Sequence, residues 1–115
     1  MSTNRLDQLL NFLETTPDDP FILYAVASEY MKQKNFPKAL DYFRELVGKR
    51  PDYVGTYYHY GKLQEQLGNE DEAIAIYRQG MHVATKANDL HALAELQAVY
   101  NAVLGIEPDD EEDEW

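Results

Sequence analysis

Residues 20–51 read PFILYAVASEYMKQKNFPKALDYFRELVGKRP, and residues 54–85 read VGTYYHYGKLQEQLGNEDEAIAIYRQGMHVAT. Placed one under the other at a shift of 34 residues, they bring Ala27 onto Gly61, Ala39 onto Ala73 and Phe43 onto Tyr77. The same shift carries Pro17 onto Pro51. A fixed period of this length marks a stacked-repeat protein. Such repeats bury their cores against one another and leave one long face free, an arrangement that favours docking over a catalytic pocket.

Outward from these stretches the pattern stays helical. Apolar residues recur at i, i+3, i+4 and i+7 in six blocks, and sustained period-2 alternation is missing. The spacing predicts helices over 4–15, 20–33, 36–49, 53–67, 70–85 and 89–104. The start signals are Thr3, Asp19, Asn35, Asp52, Asn69 and Asn88, with Pro20 at the first position of the second helix. Asn69 and Glu72 have the spacing of a capping box. Pro17, Gly48 with Pro51, Gly68 and Gly105 supply stop signals. Short loops between such helices predict antiparallel neighbours. Small residues at Ala27, Gly61, Ala39 and Ala73, followed by the large Phe43 and Tyr77, predict close helix contacts.

At these residues the chain resembles the tetratricopeptide repeat family, whose unit is 34 residues with an A helix and a B helix. The first repeat, 20–53, matches through Leu23, Val26, Ala27, Tyr30, Ala39, Phe43 and Pro51. The second, 54–87, matches through Tyr57, Tyr60, Gly61, Gly68, Ala73 and Tyr77. It departs where Gln64 replaces the usual Tyr and Thr85 the closing Pro, which leaves the end of its helix open between Thr85 and Ala87. Residues 4–17 resemble a lone B helix, and residues 89–104 a final A helix or capping helix. The resemblance implies an all-α, tetratricopeptide-like helical-hairpin solenoid of about six antiparallel helices. One domain over 1–107 is expected, followed by an acidic tail over 108–115 that its charge predicts to be disordered.

The resemblance also implies a site. In this family the A helices line a concave groove in which ligands lie. By position this marks Phe21, Tyr24, Ser28 and Met31 on the first A helix, and Gly55, Tyr58, His59, Lys62 and Glu65 on the second. Aromatics and Met offer large contact area at low entropy cost. Aromatics at helical spacing also build cores, and Tyr57, Tyr60 and Tyr30 are expected to do so, with only their hydroxyls reaching water. Tyr24 and Tyr58 fit either role. Some relatives grip a C-terminal carboxylate with Lys, Asn and Arg. The matching positions here hold Tyr24, Ser28, His59, Asp89 and Leu93, so that mode is not expected.

Composition narrows the rest. An apolar fraction of 44% is too high for a disordered chain. With no cysteine there is no disulfide, thiolate metal site or thiol nucleophile, which suits a reducing compartment. No basic region followed by an apolar run opens the sequence, and no apolar run reaches membrane length, so a cytoplasmic protein without a membrane partner is expected. Net charge is −11, but six of the 21 acids lie in Asp109–Glu114; without them 15 acids face 10 bases. That balance argues against nucleic acid as a partner. The acidic run is read as a solvated tail, or, given Trp115, as a segment that docks on a basic partner or a neighbouring molecule.

Chemistry is not encoded in any visible motif. His59, His82 and His91 lack helical metal-site spacing, and the glycines are scattered rather than gathered in a phosphate loop. Glu70-Asp71-Glu72 opens a helix, where negative charge complements the dipole. The sequence therefore predicts no enzyme and no cofactor. It predicts a protein-interaction module binding a protein or peptide segment in the A-helix groove. The alternative is self-assembly through an apolar edge at Leu6, Leu9 and Phe12.

Overall fold

A computed structural model of the chain describes residues 4–106. Thr3 and the acidic segment 108–115 lie outside the described residues. Six helices follow in order: α1 Arg5–Thr15, α2 Pro20–Lys32, α3 Phe36–Lys49, α4 Gly55–Gln66, α5 Glu70–Lys86 and α6 Leu90–Leu104. Among the described residues there is no strand, so the fold is all-α as the periodicity predicts. The packing forms two compact units, one running to Thr56 and the other starting at Tyr57.

In the first unit α2 is the central helix. It buries Leu23, Ala25, Val26 and Ala27, and α3 buries Ala39, Phe43 and Leu46. Leu6 and Leu9 of α1 are buried in one cluster with Ala25 and Val26, edged by Leu10, Leu13, Ile22, Tyr30 and Tyr42. This corrects one expectation. Leu6 and Leu9 do not form a free edge, because a lone B helix still has the next A helix to cover its apolar stripe. Phe12 alone of the three stays out, at 60% exposure. Arg5 strengthens the docking of α1 with an ion pair to Glu29 at 3.1 Å. At the other end Lys49 of α3 reaches Glu45, Asp18 and the Pro17 carbonyl, pinning the α1–α2 turn.

In the second unit the glycines decide how closely helices approach. A methyl group on Gly61 would stand 2.2 Å from Cε1 of Tyr77, so α4 meets the fully buried Tyr77 ring across bare backbone. Gly80 does the same twice. Its missing Cβ would lie 2.5 Å from Cβ of Tyr57 on α4 and 3.1 Å from a methyl of Leu96 on α6. At the 34-residue shift Gly80 falls on Leu46, so the two repeats fill this layer differently: one with a side chain, the other with close backbone.

Helix ends follow local chemistry, with four corrections. Asn4 caps α1 by accepting from Asp7 N–H, in the role expected of Thr3. Asp19 and Asn35 cap α2 and α3 as predicted. α4 starts at Gly55 rather than 53, because Tyr53 N–H closes a turn onto the Arg50 carbonyl. Asp52 points to Arg50 at 3.5 Å instead of capping. Asn69 makes no side-chain cap bond to α5; its amide donates to Oε1 of Gln64 at 2.7 Å, so the capping box does not form. Asp89, not Asn88, caps α6, since Asn88 takes a left-handed φ of 59° in the preceding turn. The open end of α5 resolves at Lys86: Thr85 keeps its backbone N–H, and its hydroxyl donates to the Met81 carbonyl, where Pro51 in the first repeat halts α3.

Candidate partner-binding surface

The A-helix residues fall into two classes. Tyr57 and Tyr60 are buried as core, and Tyr30 is half-buried, stacked on Tyr42 with centroids 5.7 Å apart. Tyr24 and Tyr58, one period apart, are both half-buried, each presenting part of its ring. The reason is the wheel: each sits about 100° round from a buried neighbour, Leu23 or Tyr57.

On α2, Phe21 is 60% exposed, and Tyr24, Ser28 and Met31 are half-buried. The Tyr24 ring lies 6.1 Å from Tyr53 at a tilt of 56°. Burial raises the Tyr24 pKa, a hydrogen bond with Ser28 lowers it in part, and Tyr53 adds to the rise. Tyr24 is therefore a neutral, oriented hydroxyl. Residues 20–28 carry no charge at all.

The α4 face is different. Tyr58 meets His59 edge-on at 5.3 Å. His59 is exposed, yet the atoms around its ring desolvate it enough to lower its pKa, against the opposing pull of Glu95. Lys62 is exposed and Glu65 half-buried, their charged atoms 4.0 Å apart. Glu65 is committed: its carboxylate accepts from the Tyr77 hydroxyl at 2.5 Å. That bond and, above all, burial push the Tyr77 pKa well above the ordinary range. Sequence reasoning placed Glu65 on the docking face and did not see this tie. The signal was present, since Tyr77 replaces the Phe43 of the first repeat and brings a hydroxyl that must find a partner.

A sequence profile described as tetratricopeptide repeat matches residues 30–98. The chain belongs to the tetratricopeptide repeat family. A tetratricopeptide repeat domain protein from Salinibacter ruber is 48% identical to it. That protein's solution structure matches with a TM-score of 0.75 over 80% of this chain and 93% of that one. Its crystal structure gives 0.73 over 77% and 100%. A Bordetella parapertussis protein of 19% identity matches with a TM-score of 0.77 over 98% of this chain and 96% of that one, a likeness of fold alone. No curated protein matches. Tetratricopeptide repeat proteins are generally protein–protein interaction modules. No helix of this repeat protein is long and apolar enough to cross a membrane, and no cluster of three metal-binding side chains occurs among the described residues.

Proposed function

We propose that this chain is a protein-interaction module whose A-helix faces on α2 and α4 receive a partner segment, and that it acts by binding rather than catalysis. The observation that carries this reading is the split among the tyrosines. Tyr57 and Tyr60 build the core, while Tyr24 and Tyr58 at equivalent repeat positions keep ring surface outside it. Together with the exposed Phe21 they offer rigid, amphipathic contact area of the kind that anchors protein interfaces. The α2 face is uncharged and suits apolar anchors. The α4 face adds a donor at Lys62 and a mostly neutral imidazole at His59.

The test is affinity capture from a native lysate with the wild type beside Phe21→Ser, Lys62→Glu and Tyr24→Ala/Tyr58→Ala, each first shown to be folded by circular dichroism. Partners lost from the surface variants are face ligands. Full retention by all three would refute the assignment. A second reading, self-association through the terminal helices, is favoured by the exposure of Phe12 at 60%, Leu90 at 67% and Leu104 at 44%. Light scattering showing a strict monomer at all concentrations would remove it.

A further inference from the structure

The α2–α3 turn and its two flanks carry Lys32 at the end of α2, Lys34 in the turn and Lys38 in the first turn of α3, with no acid between them, in a chain of net charge −11. All three side chains are exposed. Lys32 pairs with Glu29 at 3.2 Å, a carboxylate already shared with Arg5. Among the described residues, Lys34 and Lys38 have no carboxylate within ion-pair distance. Lys34 also occupies a left-handed conformation, φ 62°, at the position where the second repeat has Gly68 at φ 84°. A side chain at such a φ costs energy that glycine avoids, and a strained residue that presents a functional group is a reasonable pointer to use of that group.

We infer that this turn is a cationic docking surface for the acidic segment Asp109–Glu114 of a second copy of the chain. The charges are complementary: three neighbouring cations, two of them without a carboxylate partner among the described residues, match a run of six successive acids. At physiological salt, charges act over only about 8 Å, so the local match outweighs the repulsion between the acidic bodies of two copies. Exposed ion pairs are individually weak, and the docking is accordingly low in affinity and salt-sensitive. It does not rest on the A-helix reading, because the lysines lie at the end of α2, in the following turn and at the start of α3, and their replacement leaves Tyr24 and Tyr58 in place.

Backbone-amide NMR of the full chain tests this, recorded dilute and concentrated, at low and high salt. The same spectra are taken for Lys32→Ser/Lys34→Ser/Lys38→Ser and for a chain with the six acids of 109–114 replaced by Asn or Gln. Docking predicts concentration-dependent shifts at residues 32–38 in the wild type, lost at high salt and lost in both variants. Shifts independent of concentration overturn the inference, as do shifts that survive high salt or neutralisation of 109–114. Salt also separates it from association through apolar terminal faces, which salt does not weaken.

Discussion

Replacing Gly61 by Ala sets two known effects against each other. Inside a helix, Ala is more favourable than Gly by about 1 kcal/mol, so propensity alone predicts a more stable protein. The structure predicts the reverse. The new methyl would stand 2.2 Å from Cε1 of Tyr77 and 2.7 Å from two further ring carbons, where carbon contacts settle near 3.5–4.0 Å. The ring must therefore move by more than 1 Å or the helices must part. It has little room to move, being fully buried and tied through its hydroxyl to Glu65. Overpacking of this kind costs about 1–3 kcal/mol and sometimes more, and a displacement this large belongs at the upper end. With the propensity gain subtracted, the net loss is about 2 kcal/mol.

For a chain of 115 residues, that loss lowers Tm by about 8 °C. Urea denaturation followed by far-UV circular dichroism gives the free energy directly, with an unchanged slope confirming that the denatured state is not the cause. Gly61→Ala/Tyr77→Leu completes the cycle: with the ring gone, the methyl has space, and the cost of Gly61→Ala disappears. Ala27 of the first repeat is the built-in control, an alanine already present at the equivalent position in a repeat that has Phe43 in place of Tyr77. A Gly61→Ala protein as stable as the wild type, or more stable, refutes the close approach.

Tyr77→Phe removes the hydroxyl that donates to Glu65; because that carboxylate is only half-buried, the expected loss is about 1 kcal/mol, below the usual range for bonds to charged groups. The raised pKa of Tyr77 also fixes a pH dependence: the folded state holds the proton more tightly, so this stabilisation is intact below the ordinary tyrosine value near 10 and falls as pH rises above it. The Phe variant should lose that alkaline decline in denaturation midpoints. Lys34→Gly relieves a left-handed φ of 62° and should raise stability by about 0.5–1 kcal/mol, less than the full strain because glycine also loosens the unfolded chain; a fall in Tm contradicts it. Gln64→Leu removes a buried amide whose Nε2 has no hydrogen-bond partner, leaving the exposed Asn69 to water. Stability should hold or rise by up to about 1 kcal/mol, and a clear loss in urea denaturation would show that the amide is satisfied.

The second repeat shows why the sequence revealed the fold more completely than its details. Period and residue size are carried by single positions, so Ala39, Ala73, Phe43 and Tyr77 announced their buried places by type alone. Caps are decided by competition among neighbours. Asn69 has the right identity and spacing for a capping box, but Gln64, five residues earlier, takes its amide. Asp52 likewise has the right type, and the turn onto Arg50 moves the helix start away from it. Half-burial at Tyr24 and Tyr58 is a property of angle, which the wheel gives only to within a residue. Gly80 was the least visible of all. A glycine in a helix reads as tolerated weakness, whereas here it lets α5 lie against both Tyr57 and Leu96.

These particulars bear on function through the differences between the repeats. Here the first repeat holds Leu46, Phe43 and an uncharged A-helix face, while the second holds Gly80, the Tyr77–Glu65 tie and a face with Lys62 and His59. Tyr77 links the interior to that face, because the Glu65 that accepts its hydroxyl bond sits one helical turn beyond Lys62. With Glu65 held by Tyr77, the exposed Lys62 ammonium, 4.0 Å from that carboxylate, is available to a partner's acceptor. The Glu65 carboxylate is thus shared between the Tyr77 hydroxyl and the Lys62 ammonium, and Lys62 is the exposed cation of the α4 face. A partner segment on the α2 face should present apolar anchors to Phe21 and Tyr24, and one on the α4 face an acceptor to Lys62. Reversing the charge at Lys62 should then weaken capture more than removing it, whereas equal effects would mean that the side chain acts only through its apolar stem.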